Sequence, residues 1–237
     1  MSNWLHKFQS YLNAFLHLFY PHICLQCGTD QLDNEQVICN SCEKQLPYSN
    51  FFSMQNNPVE KIFWGRVPVQ NAGTILFFTK ESIVQKIIYE LKYNQNKKAG
   101  NLLGRLLAIE LKNNTAFNKV DYLIPIPISK HKQKTRGFNQ SLIICEAIVA
   151  NGFPATIFEG LKKSKNTSTQ THKDRKERGL QSNTLFFLNQ ANTLKNKYLL
   201  IIDDVITTGA TVEAACCCLL IAQPKAIQVA TAAYTLH

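Results

Sequence analysis

The run Tyr198-Leu-Leu-Ile-Ile-Asp-Asp-Val-Ile-Thr-Thr-Gly-Ala-Thr211 closes an apolar stretch with two carboxylates and follows them with a short hydroxyl-rich loop. An apolar run of this kind reads as a buried strand, and Ala210 to Ile221 reads as the helix after it. In open α/β sheets, ligands bind beyond the carboxyl ends of the strands. The loop Val205, Ile206, Thr207, Thr208, Gly209, Ala210 and Thr211 would present backbone N–H groups at a helix N-terminus, which suits a phosphate. The three threonines add hydroxyl donors, and Gly209 lets the backbone come close to a ligand. With a 5′-phosphate in the loop, Asp203 and Asp204 would meet the two hydroxyls of a ribose. They could also help to hold a Mg2+ ion.

A second constellation is Cys24-x2-Cys27-x11-Cys39-x2-Cys42. Each C-x2-C pair can fold into a tight knuckle, and Gly28 suits the turn. Two knuckles complete a tetrahedral thiolate site for zinc, with an iron–sulfur cluster as the competitor. Four cysteine ligands leave no open position, so such a metal is structural. The other cysteines, Cys145, Cys216, Cys217 and Cys218, lie in helix-like apolar sequence and read as packing.

The net charge of +10 over 237 residues is concentrated. Lys130, Lys132, Lys134 and Arg136 stand between Ser129 and Gln140 without an acid. Lys162, Lys163, Lys165, Lys173, Arg175, Lys176 and Arg178 are opposed only by Asp174 and Glu177. Two basic loops either face phosphates or are solvated surface. His131 and His172 sit in them and read as solvated.

The supporting elements follow from periodicity. Strands are expected at 73–79, 122–126, 198–202 and 226–233, with a short one at 185–188. Helices are expected at 82–93, 102–112, 140–150 and 210–221. Alternation of strands and helices implies an α/β fold with a mostly parallel sheet. Trp4, Phe8, Tyr11, Leu12, Phe15, Leu16 and Phe19 recur at helical spacing, so 3–19 reads as an amphipathic helix, packed on the protein or lying on a membrane surface. No apolar run reaches the ~20 residues of a membrane span, and Met1 to Tyr20 lacks a signal-peptide cleavage site. The expected location is the cytoplasm, with peripheral contact to the inner membrane left open.

The strand, acidic pair and TTGAT-like loop resemble the fingerprint of phosphoribosyltransferases. Ile126-Pro-Ile-Ser129, Lys132, Arg136-Gly-Phe-Asn-Gln140, Tyr89-Glu-Leu-Lys-Tyr93, Thr169-Gln-Thr171 and Arg175-Lys-Glu-Arg178, together with the cysteine pairs, resemble the ComF/GntX family. That resemblance implies a type I phosphoribosyltransferase-like parallel sheet flanked by helices, behind a small N-terminal zinc module. The corresponding organisation is a helix at 1–20, a zinc-binding module at 21–48, a linker at 49–71 and the phosphoribosyltransferase-like domain at 72–237.

The resemblance further implies binding of phosphoribosyl pyrophosphate with Mg2+, with Asp203 and Asp204 as the catalytic pair and Lys132 and Arg136 at the pyrophosphate. It implies a flap from Lys162 to Arg178 and a role with competence DNA-uptake proteins. Lys162, Lys163, Lys165, Arg175, Arg178, Lys92 and Phe138 are the flap and nucleic-acid candidates, and Tyr89, Tyr93 and Phe138 could stack bases of single-stranded DNA. Enzymes of this fold that act on 6-oxopurines carry an aspartate where Thr207 stands. Threonine is no general base at neutral pH, so purine salvage is disfavoured. Lys173 and Gln181 depart from the expected leucine and asparagine of the flap. The alternatives to a ligand- and DNA-binding competence protein are an active phosphoribosyltransferase with an unidentified acceptor and a ligand sensor that has lost turnover.

Overall fold

The computed structural model describes residues 22–164 and 185–236. The expected helix at 3–19 and the flap positions Lys165, Thr169–Thr171, Arg175 and Arg178 lie outside them. The chain forms two compact units, Met1–Leu46 and Pro47–His237.

In the smaller unit, Cys24 N–H donates to Thr29 O at 2.8 Å and Gly28 N–H to Cys24 O at 3.0 Å, closing the first knuckle. Leu25 N–H bonds Val37 O at 3.0 Å and ties this knuckle to the second. Helix α1 (Asn40–Lys44) follows Cys39, which occupies its N-cap. Among the described residues of this unit, Val37, Ile38, Leu46 and three of the cysteines supply the buried apolar surface. So small an apolar cluster gives the two knuckles little to fold on by themselves.

The larger unit runs α2 (Pro58–Phe63), β1 (Val69–Phe78), α3 (Ile83–Tyr93), α4 (Lys97–Asn113), β2 (Tyr122–Pro125), α5 (Lys130–Arg136), α6 (Gln140–Ala150), β3 (Thr156–Ile157), β4 (Leu161–Lys163), β5 (Phe186–Leu188), β6 (Tyr198–Ile206), α7 (Ala210–Leu220) and β7 (Ala226–Thr235). Five strands form one sheet in the order β1-β7-β6-β2-β3, every pair parallel. β4 and β5 form a separate antiparallel ribbon.

Burial on both faces explains the apolar runs, since Leu199 to Ile202 have no exposed surface. Leu199 and Ile201 of β6 and Ile227 and Val229 of β7 join a core with Val59 and Phe63 of α2 and with α7. The intervening strand residues face the side where α4 and α6 pack on each other and on the sheet.

The segment 49–71 is more than the expected linker. Phe51, Phe52, Val59 and Phe63 are buried in the larger unit. Asn57 organises them. Its Nδ2 donates to the carbonyls of Phe51, Met54 and Ala72, and its Oδ1 accepts from the N–H groups of Val59 and Glu60 at the start of α2. Just upstream, Tyr48 bridges Leu76 in antiparallel fashion and so covers part of the outer edge of β1.

Sheet order fixes where a ligand can enter. After β2 the chain turns to β3 on one side, and after β6 it turns to β7 on the other. The carboxyl ends of β2 and β6 therefore flank a topological switch point, where the loops part and leave a crevice.

Candidate functional site

Asp203 and Asp204 lie at that crevice, near the end of β6. Asp203 Oδ1 accepts from Ser141 Oγ at 3.1 Å and from Asp204 N–H at 2.9 Å. Asp204 is buried, and its Oδ1 lies 2.9 Å from Lys92 Nζ of α3. Two carboxylates against one ammonium leave an uncompensated negative charge. Its cost appears at Asp203, whose residue keeps some exposed surface while its carboxyl is enclosed. Burial and the Asp204 charge push that carboxyl up to about 7, against the pull of the Asp204 N–H, Lys92 and Ser141. Hydroxyl donors or a cation would relieve this excess, so the pair fits both a ribose diol and Mg2+.

The loop after the pair leads into α7 through Gly209, which adopts φ 74°. Thr207, Thr208, Ala210 and Thr211 are exposed, whereas Gly209 is buried. A Cβ on Gly209 would lie 2.4 Å from Ile62 Cγ2 and 3.2 Å from Phe63 Cε1. Glycine is therefore required twice, for the left-handed backbone and for the close approach of α2. Arg66 donates to the Thr208 carbonyl at 3.1 Å and pairs with Glu213 in the first turn of α7. Neither Arg66 nor Ser141 was marked by a sequence motif as a site residue.

The opposite wall is the loop after β2 together with α5. Lys132 is exposed on α5. Arg136 bonds Gln140 Oε1 at 3.1 Å, and its guanidinium lies over the Tyr93 ring at 5.4 Å. Tyr89 and Tyr93, one helical turn apart, are 54% and 58% exposed, with ring centroids 4.9 Å apart. Lys97 lies over the Phe138 ring at 5.7 Å. Lys92, expected among the flap and nucleic-acid candidates, has its Nζ paired with Asp204.

A pocket of about 380 Å3 opens between the loop after β2 and the β4–β5 ribbon, with Pro127, Ile128, Asn139, Glu159, Lys163 and Phe187 in its lining. Lys162 also lines it. Burial and the Lys132 charge draw the Lys163 ammonium below its ordinary range, and Asp203 holds against them. Lys163 thus feels both the acidic pair and the basic loop.

In the smaller unit the four sulfurs of Cys24, Cys27, Cys39 and Cys42 lie within 4.8 Å of one another. Cys27 Sγ and Cys39 Sγ are 3.7 Å apart. Thiolates at about 2.3 Å from one tetrahedral zinc are separated by about 3.8 Å, so the donor set fits such an ion. Burial resists ionisation of Cys24, but the N–H groups of Cys27, Cys39 and Gln26 outweigh it and bring the thiol down to about 6. Burial and the neighbouring cysteines push Cys42 up to about 12. Four thiolates cannot crowd together without a compensating cation.

The remaining cysteines sit within helices as expected. Cys145, Cys216 and Cys218 are buried, while Cys217 is exposed. Burial drives the Cys145 thiol well up and brings Cys216 to about 12, so neither is poised as a nucleophile.

Residues 143–237 match the phosphoribosyl transferase domain, in keeping with the parallel sheet flanked by helices. The chain is 27% identical over 129 residues to the DNA utilization protein YhgH of Escherichia coli K12, covering 53% of each. To the protein of the same name from Escherichia coli O157:H7 it is 27% identical over 151 residues, covering 62% of this chain and 63% of the relative. These matches, with the motifs, support a ComF-like protein of the phosphoribosyltransferase type. The chain spans about half the length of the curated relatives it matches. Among solved structures, the hypoxanthine-guanine phosphoribosyltransferase of L. donovani is 12% identical, covers 57% of this chain and 71% of its own, and gives a TM-score of 0.37.

Proposed function

We propose that this protein binds phosphoribosyl pyrophosphate with Mg2+ at the β2/β6 switch point and works with single-stranded DNA in natural competence. The observation that carries the first half is the enclosed, under-compensated Asp203–Asp204 pair beside the Gly209 loop. The pair accepts from the ribose hydroxyls, and the loop from Val205 to Thr211 donates to the 5′-phosphate. Mg2+, when bound, would screen the charge of the diphosphate. Lys132 supplies positive charge on the pyrophosphate side.

Support for the DNA half is the name of the relatives and the exposed Tyr89, Tyr93 and Lys97, with half-buried Phe138 and Arg136 against them. Aromatic rings flanked by cations hold unpaired bases and the phosphates beside them. The four-cysteine unit carries one structural zinc on this reading, and the protein acts in the cytoplasm. No helix among the described residues is long and apolar enough to cross a membrane.

Calorimetric titration of Mg2+–phosphoribosyl pyrophosphate tests the pocket, with Asp203→Asn/Asp204→Asn as control. Saturable binding in the parent and its loss in the control is the expected result; no binding by the parent would end the proposal. The second reading is an active phosphoribosyltransferase. The pocket between Pro127 and Phe187 favours it, since it could seat an acceptor close to the ribose. Release of pyrophosphate with an acceptor panel that includes DNA distinguishes turnover from binding alone.

A further inference from the structure

Arg66 lies in the Trp64-Gly65-Arg66-Val67-Pro68 stretch, far from every motif of the sequence. Its Nη1 donates to two carbonyls, Ile62 O and Thr208 O, each at 3.1 Å. Its Nη2 pairs with Glu213. One guanidinium therefore fastens three things together: the end of α2, the loop after β6 and the first turn of α7. Lysine lacks the planar fork needed to serve all three partners at once.

The bond to Thr208 has a directional effect. The C=O and N–H of one trans peptide unit point to opposite sides, and no cis peptide occurs among the described residues. Holding the Thr208 oxygen toward Arg66 turns the Gly209 N–H the other way. From behind, Ile62 and Phe63 press on Gly209, so closely that even a Cβ there would collide. The peptide is thus gripped at its oxygen and backed at its α-carbon. A loop left free to rotate this peptide would have to order it at the moment of binding, at a cost in entropy.

We propose that Arg66 is a positioning residue for the phosphate loop: it fixes the Thr208–Gly209 peptide so that the N–H groups are set to receive the 5′-phosphate before the ligand arrives. The inference rests on the reading that this loop takes a phosphorylated ribose. It gives the 58–66 arm a function, as a brace for a loop that follows it by about 140 residues.

The test compares ribose 5-phosphate with Mg2+–pyrophosphate by calorimetry for the parent, Arg66→Ala, Arg66→Lys and Glu213→Gln. Thermal midpoints are measured alongside. Arg66→Ala should weaken ribose 5-phosphate by about 10-fold, the loss of one charge-assisted bond, while pyrophosphate affinity is kept. Arg66→Lys should recover part of the loss, because an ammonium can still hold one carbonyl. Glu213→Gln should cost less than Arg66→Ala, since the carbonyl bond survives.

Equal ribose 5-phosphate affinity in the parent and Arg66→Ala overturns the inference and leaves the ligand reading standing. Equal losses for both ligands together with a lowered midpoint also overturn it, because they mark a merely structural role. A parent that binds neither ribose 5-phosphate nor phosphoribosyl pyrophosphate removes the ligand reading and this inference with it.

Discussion

Lys92 Nζ stands 2.9 Å from Asp204 Oδ1, and this contact ties α3 to the end of β6. The two side chains are 20% and 10% exposed, so water does little to screen them. Removing the lysine leaves two enclosed carboxylates with less compensation. Lys92→Met should destabilise the protein by about 3 kcal/mol, read by urea unfolding. Adding Asp204→Asn should restore much of that loss, which marks charge as the cause in place of packing.

The elevated Asp203 carboxyl predicts a pH dependence with a definite sign. A carboxyl whose folded pKa is raised costs stability once it is forced to ionise. The protein should therefore lose stability as pH rises from about 4, the unfolded value, toward about 7. Asp203→Asn removes this slope. Its thermal midpoint should exceed the parent's at pH 8, and the gap should narrow toward pH 5. An equal gap at both values would contradict the assignment.

Gly209→Ala meets two obstacles, the 2.4 Å approach to Ile62 Cγ2 and the backbone at φ 74°. The variant should lose about 1–3 kcal/mol and bind ribose 5-phosphate poorly. Ile62→Ala in the same chain should recover only part of the stability, since it relieves the collision and leaves the backbone strain. Chemical denaturation of the single and double variants measures the division.

Metal analysis of the purified protein should find about one zinc per chain, as a closed four-thiolate site requires. Chelation should unfold the Cys24–Cys42 region and leave the larger unit's cooperative transition in place, which amide hydrogen exchange would resolve. A visible absorption band in the protein as isolated would instead favour an iron–sulfur cluster.

For single-stranded DNA, Tyr89→Ala/Tyr93→Ala should lower affinity about 10-fold or more with little change in its salt dependence. Lys132→Gln should instead reduce the slope of log affinity against log salt, by about 0.7 if that lysine meets one phosphate. Fluorescence anisotropy over a salt series separates the two effects. An unchanged affinity in the tyrosine variant would remove stacking from the proposal.

The part of the site carried by one continuous stretch was legible in the sequence. A buried strand, two acids and a glycine loop leave a local signature, and Tyr198–Ile206 and Ala210–Leu220 take the forms it implies. Helix α6 was readable for a similar reason, because its apolar residues crowd a single stretch after Asn139. What escaped has no local signature. Helix α5 contains no buried residue, so no apolar period announces it. The arm from Phe51 to Phe63 buries its aromatics at irregular intervals around a buried asparagine, and its polar residues and Pro58, with Gly65 and Pro68 just beyond, make it look like a connector. Arg66 and Lys92 draw their roles from partners on α7 and β6, so only the folded chain can assign them.

The outermost strand, β1, has its one ladder with β7, in a register that joins Val69 to Ile227 and Phe78 to Thr235. On the ribosome, β1 emerges long before the strand it needs. Helices α2, α3 and α4 can cover its faces before then, but its inner edge has no strand to pair with, and the nascent chain is open to mispairing. β1 cannot join the sheet until β7 has been made and has cleared the exit tunnel, whereas β2 and β6, which pair directly, can form their crevice before that. A product that lacks β7 would leave β1 and one edge of β6 without a partner, and such open edges are what chaperones and proteases meet.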